Sequence, residues 1–261
     1  MLRNNPNFNL MEKAARFAGR RMLRDFDEVR QLQTSIKGTV SFSNRAHDRA
    51  ETRLVEKLAE TRPNYGFRCM LLGDREGTDP TRYWIVNALD GRVNFSHGVP
   101  NWSVTVALEH KGQCVLGLVF DVLSNEMFAA ERGGGSWLNE SRIRTSSRTR
   151  VADMLVSMES SKTGDGLEEA GERVRRIEGQ ATGVRSLGSP SLGLAWLASG
   201  RFDGYVGAGM DRDEIMAASL VVTEAGGMAS LSPPDGDAGY EIIAATGSAF
   251  DAFAGIVRGD G

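Results

Sequence analysis

Trp84-Ile85-Val86-Asn87-Ala88-Leu89-Asp90-Gly91-Arg92-Val93-Asn94-Phe95 is the stretch on which the reading of this chain turns. A short apolar run, Tyr83-Trp84-Ile85-Val86, reads as a buried strand. It delivers the chain into Asn87, Asp90 and a glycine, so polar side chains collect at a strand end, where a turn must follow.

Strand character continues outward from there. Val104–Leu108 and Cys114–Phe120 flank Lys111-Gly112 and predict a hairpin, with a further strand at Glu126–Ala130 and a turn at Gly133-Gly134-Gly135. Upstream, Phe8, Met11, Ala14, Ala15, Phe17, Ala18, Met22 and Phe26 recur at helical spacing and predict one buried stripe. Lys37-Gly38 reads as a polar connection. A second helix is expected from about Ala46, closed by Arg62-Pro63-Asn64-Tyr65-Gly66. Downstream, Leu155–Met158 reads as a strand and Gly166–Ile177 as a charged helix. Ser191–Ser199 and Glu214–Ala225 read as buried helices, Ile242–Ala245 as a strand and Phe250–Val257 as a last helix. Ser230–Asp237 reads as a loop. Helices and strands mix throughout, so the fold class is layered α/β.

Bulk properties exclude several function classes. The 261 residues are 41% hydrophobic and 25% charged, which is globular rather than disordered. The net charge of −3 gives no general attraction to nucleic acid or anionic membrane. Cys69 and Cys114 form no CxxC pair, and no apolar run approaches the roughly 20 residues of a membrane span, so a cytoplasmic location is expected. His97 and His110 lie in no acid–base context. Arg142, Arg144, Arg148 and Arg150 read as a solvated face, as do Arg20, Arg21 and Arg24.

Taken in order, the motifs resemble those of the inositol monophosphatase family. Residues 84–95 are similar to W-I-[IV]-D-P-[LI]-D-G-T-T-N-F. Gly133–Asn139 is similar to G-x-G-A-x-L-N. Gly188-Ser189 and Leu194–Tyr205 are similar to the family's G-S and A-A-G-R-x-D-G-Y segments, and Glu224–Gly227 to a family helix end. The likeness spans nearly the whole chain. It implies a five-layer α-β-α-β-α sandwich of the inositol monophosphatase and fructose-1,6-bisphosphatase type, with residues 1–148 and 149–261 as two subdomains of one compact unit. It also implies a homodimer and magnesium-dependent hydrolysis of phosphate monoesters.

The same resemblance shows losses. The metal-binding Glu-Glu pair falls at Met70-Leu71, and Arg68–Leu72 reads as apolar core strand. The first motif aspartate is Asn87. The threonine after Asp-Gly is Arg92, and an alanine-aspartate pair reads Ala46-His47. The third metal aspartate aligns with Glu214, and the sugar-reading glutamate with Gly207. Asp90 alone is unchanged among the metal carboxylates. Neither a thioether nor an alkyl group holds magnesium, and a close metal pair needs several carboxylates. The expected metal set is therefore Asp90, Glu214 and Asn87, with magnesium binding weak or absent, and a phosphate would meet Lys37, Gly91 and Arg92. Arg92 could pair with Asp90 or Glu214 in a metal-free cluster. A register shift could bring Asp74 or Glu76 to the Met70 position.

The leading expectation is a catalytically inactive or impaired homologue with a regulatory role through a protein partner. Bacterial members of the extragenic-suppressor type, which act with the transcription machinery, resemble this chain. The alternatives are an active magnesium-dependent phosphatase of inositol monophosphate or a related sugar or nucleotide phosphate, and a metal-free phosphate sensor.

Overall fold

The structure, a computed structural model, describes residues 2–31, 36–160, 166–233 and 239–259. The chain opens with two long antiparallel helices, α1 (Pro6–Gln31) and α2 (Ile36–Thr61). The apolar stripe of α1 is buried from Phe8 to Phe26 except at Phe17, which is 39% exposed and lies between the guanidinium groups of Arg20 and Arg53. Helix α2 starts ten residues earlier than the apolar spacing suggests, so Lys37 and Gly38 lie within it.

A seven-stranded sheet follows: β1 (Tyr65–Cys69), β2 (Asp79–Asp90), β3 (Ser103–His110), β4 (Gln113–Asp121), β5 (Glu126–Glu131), β6 (Gly135–Leu138) and β7 (Ser141–Ile143), in sequence order across the sheet. Only the β1–β2 pair is parallel. The expected hairpin turns at Lys111 and Gly112, both at positive φ. The short helix α3 (Arg92–Ser96) leaves the end of β2 and is anchored by Phe95, whose ring lies 5.3 Å from Phe26 of α1 and 5.1 Å from Trp102.

The second sheet has five strands in the order β11-β12-β10-β8-β9. They and their helices are, along the chain, β8 (Leu155–Ser160), α4 (Gly166–Glu178), β9 (Gly183–Arg185), α5 (Pro190–Ala198), β10 (Gly204–Met210), α6 (Arg212–Glu224), β11 (Gly227–Ser232), β12 (Tyr240–Thr246) and α7 (Phe250–Arg258). Strand β11 takes up Ser230–Ser232, the start of the expected loop, while residues 234–238 lie outside the described residues.

Helices α1 and α2 cover the outer face of the first sheet. Helices α5 and α6 pack between the two sheets, and α4 and α7 cover the second. This is the five-layer sandwich. It explains why the two middle helices read as apolar all round: both of their faces meet a sheet. No helix among the described residues is long and apolar enough to cross a membrane.

Candidate active-site cleft

The end of β2, the start of α3, the start of α6 and the turn before α5 meet at an open cleft of about 580 Å³. Its lining includes His47, Met70, Asn87, Gly91, Arg92 and Glu214. The fold thus brings six residues singled out in sequence to one place.

Asp90 lies just beneath, 1% exposed. Its Oδ2 accepts from the Ser103 hydroxyl at 3.2 Å, from the Ser191 backbone N–H at 3.2 Å and from the Ser189 hydroxyl, while its Oδ1 is buried with no hydrogen-bond partner. Burial pushes its carboxyl up from 3.8 to about 6 against the pull of those donors, and the Glu159 charge adds to the rise. Glu214, on the first turn of α6, is raised from 4.5 to about 7, by burial first and by the Asp90 charge second. Glu159 thus raises Asp90 and Asp90 raises Glu214, a row of buried carboxyls without enough counter-charge.

Asn87 lines the cleft at the end of β2. Its Oδ1 accepts from the Leu89 backbone N–H at 3.0 Å. A backbone N–H can only donate, so this atom is the amide oxygen, and its second lone pair and the NH2 remain. Met70 continues the β1 ladder by one bond, N–H to the Val86 carbonyl at 3.1 Å, and then the strand stops. Leu71 and Leu72 do not pack as core strand; they are 39% and 46% exposed. Buried Glu51 of α2 captures both of their backbone N–H groups, at 2.9 and 2.7 Å, and turns the chain outward. Asp74 and Glu76 are exposed outside the cleft, and Glu76 accepts from the Tyr83 hydroxyl.

Arg92 does not form the expected ion pair with Asp90 or Glu214. As the first residue of α3 it is exposed and reaches across to α2, where it donates to the Asn44 side-chain oxygen at 2.9 Å. His47 is 1% exposed, its Nε2 lies 3.5 Å from Glu51 Oε1, and neither ring nitrogen has a hydrogen-bond partner. Gly91 sits at φ 86°, where a Cβ would stand 2.8 Å from the Asn101 carbonyl. Gly207 is buried in β10. The Lys37 side chain lies outside the described residues.

Three features escaped sequence reading. Glu51 stands one helical turn after His47, a spacing that was legible. Glu159, at the end of β8, accepts from the Leu187 and Gly188 backbone N–H groups at 2.6 and 2.8 Å and so shapes the turn beside the cleft. The serine set around Asp90 comes from two separate segments, Ser103 at the start of β3 and Ser189 with Ser191 at the start of α5, and only their meeting in space shows its role. Among the described residues, no three or more His, Cys, Asp and Glu side chains come together in a way that could hold a metal ion.

A family model described as the inositol monophosphatase family matches residues 6–255. The chain belongs to the inositol monophosphatase family. A Mesorhizobium japonicum relative named inositol-1-monophosphatase is 38% identical over 240 residues, covering 90% of this chain and 87% of that one. A Pseudomonas aeruginosa relative named Nus factor SuhB is 31% identical over 237 residues, covering 86% and 85%. The crystal structure of the extragenic suppressor protein suhB from Bartonella henselae superposes with a TM-score of 0.84 at 31% identity, covering 96% of each chain. The family is in general one of magnesium-dependent phosphatases. Toward a hard cation the described cleft offers a reduced donor set: Met70 brings a thioether and Arg92 a guanidinium, while Asp90 Oδ1, the Asn87 oxygen and Glu214 remain as oxygens.

Proposed function

We propose that this chain is a catalytically silent or strongly impaired member of the inositol monophosphatase family that acts in regulation through a protein partner. The observation that carries the reading is the donor set at the end of β2. Met70 contributes no oxygen at all, Asn87 brings only an uncharged amide whose oxygen already accepts from Leu89, and Asp90 gives Oδ2 to three donors, which leaves its Oδ1 and Glu214 as the remaining carboxylate oxygens. Without bridging cations, a phosphate monoester in this cleft would face Glu214 and Asp90 with little to neutralise its charge. The partner role draws support from the rim, where Leu71, Leu72, Val93 and Val99 are all exposed, and from the relatives named Nus factor SuhB.

A second reading is an active phosphomonoesterase with a reduced set, Asp90, Asn87 and Glu214. It is favoured by the 38% identity to a chain named inositol-1-monophosphatase and by a cleft that is open rather than collapsed. A metal-free phosphate sensor would rest on Arg92 at the cleft wall.

Phosphate release separates these readings. Inositol monophosphate and a panel of sugar and nucleotide phosphates are offered with magnesium or manganese to the wild type and to Asp90→Asn. The proposal expects no release above the Asp90→Asn background. Metal-dependent turnover that the substitution abolishes would overturn it. Calorimetry with inositol monophosphate in EDTA tests the sensor, and light scattering on the same sample reads the homodimer implied by family membership.

A further inference from the structure

The outer face of α1 and α2 carries a concentration of arginine that the net charge of −3 conceals. Arg20, Arg21 and Arg24 stand on α1, and Arg45, Arg49 and Arg53 recur at four-residue spacing along one stripe of α2. Two contacts join them into one surface. The centre of the Phe17 ring lies 6.0 Å from the Arg20 guanidinium and 5.9 Å from that of Arg53, so the two helices meet over it. Arg21 and Arg49 converge on the Asp25 carboxylate, at 3.4 and 3.2 Å.

Charge on this surface is unbalanced. Asp25 is buried and answers two cations with one charge. Arg20, Arg24, Arg45 and Arg53 are exposed, and among the described residues no carboxylate pairs with any of them. Glu28, Asp48 and Glu56 are exposed on the same helices without forming such a pair. Arg20 and Arg53 hold a ring instead of an anion, and Arg45 lies 6.0 Å from the centre of the Phe42 ring. A guanidinium over a ring keeps its N–H donors for a phosphate.

Such a surface suits a polyanion. Three observations choose among polyanions. The apolar stripe of α1 is already buried, and Phe17, Leu23 and Val40 are the exposed large hydrophobics on the two helices, too few to lie in a lipid interface. Both helices pack along the first sheet, so neither projects far enough to enter a duplex groove. Phe17 is 39% exposed among cations, which is the stacking platform that unpaired bases use. We propose that the α1–α2 face binds single-stranded nucleic acid, with phosphates on the arginines and a base on Phe17. The inference stands apart from whatever the cleft hydrolyses.

The test is fluorescence anisotropy of a labelled oligouridylate of about 15 nucleotides, within the range of single-strand sites, titrated with the intact chain. Binding is expected with a Kd on the order of 10 μM at about 50 mM salt, and with a log–log salt slope of about −3 if the four exposed arginines each meet a phosphate. Arg20→Gln with Arg53→Gln should weaken binding about tenfold and bring the slope to about −1.4. Phe17→Leu keeps an apolar side chain and every charge but removes the ring; it should weaken binding about fivefold and leave the slope unchanged. Arg142→Gln with Arg144→Gln, on and beside β7, should leave both quantities unchanged. Melting temperatures establish that each variant is folded. No anisotropy change at about 100 μM chain would overturn the proposal. So would a Phe17→Leu variant that binds like the wild type, tighter binding of a duplex of the same length, or preferential sedimentation with vesicles of equal phosphatidylcholine and phosphatidylserine, which would assign the face to a membrane.

Discussion

At Asp90, burial and hydrogen bonding pull in opposite directions, and burial wins, leaving a carboxyl that titrates near 6 instead of 3.8. A raised folded-state value means the folded chain holds its proton more tightly than the unfolded chain. Stability from this group is therefore greatest below about pH 4 and falls as pH rises toward 6. Two units correspond to about 3 kcal/mol, and Glu214 extends the decline toward pH 7. Asp90→Asn keeps an acceptor for Ser103 and Ser189 but cannot ionise. Urea midpoints should show the variant gaining on the wild type by about 3 kcal/mol between pH 4 and pH 7.5. A wild type whose stability is flat across that range, or is restored by magnesium, would show that the pair has a counter-cation. The residue scale also shows where chain order misleads. Phe17 fits the apolar stripe of α1 by spacing, yet it faces outward between two arginines, because cation–π contact can replace burial at a helix edge.

Between elements, Glu51 is the joint. One carboxylate on α2 ends β1 by taking two backbone N–H groups that would otherwise continue the ladder, and the same carboxylate faces His47. Glu51→Ala leaves both donors without an acceptor inside the fold and should cost about 3 kcal/mol in denaturant unfolding, whereas Glu51→Gln, which still offers an oxygen, should cost far less. Equal loss in both variants would mean that the charge facing His47, rather than the cap on Leu71 and Leu72, is what matters. Elements with strong periodicity were legible: α1, the β3–β4 hairpin, the buried middle helices and the last helix all fall where spacing puts them. The start of α2 was not. Gly38 and the surrounding polar residues read as a connection, yet the helix runs through them with Thr39 and Ser43 buried and the Ser43 hydroxyl donating to the Thr39 carbonyl at 2.8 Å. The Arg68–Leu72 run was misread as core for a related reason. Its apolar composition describes a strand, while a carboxylate 20 residues upstream decides where that strand ends.

For the whole molecule, the decisive contact is between the first sheet and the middle helix layer. Gly117 of β4 faces α6 so closely that a Cβ would stand 2.5 Å from the Ala217 carbonyl. Gly117→Ala must push the helix layer off the sheet and is expected to destabilise by about 2 kcal/mol, lowering the melting temperature by several degrees. Gly171→Ala, on α4 with open space around the added methyl, should instead stabilise slightly through helix propensity. Melting curves of the two variants check both signs. A neutral Gly117→Ala would mean that the layers slide without cost.

The sequence by itself determined the family, the layered α/β class and the places where the motif departs from its pattern, because these depend on local periodicity and on ordered motifs along the chain. It also placed Met70, Asn87, Arg92, His47 and Glu214 as neighbours through that resemblance. Only the tertiary structure decided what those residues do there. It set the Asn87 oxygen against the Leu89 N–H, sent Arg92 to Asn44 rather than to a carboxylate, and buried Asp90 under serines from two distant segments. Side-chain orientation and proton affinity depend on which groups from distant segments share a low-dielectric space, and no one-dimensional pattern encodes that.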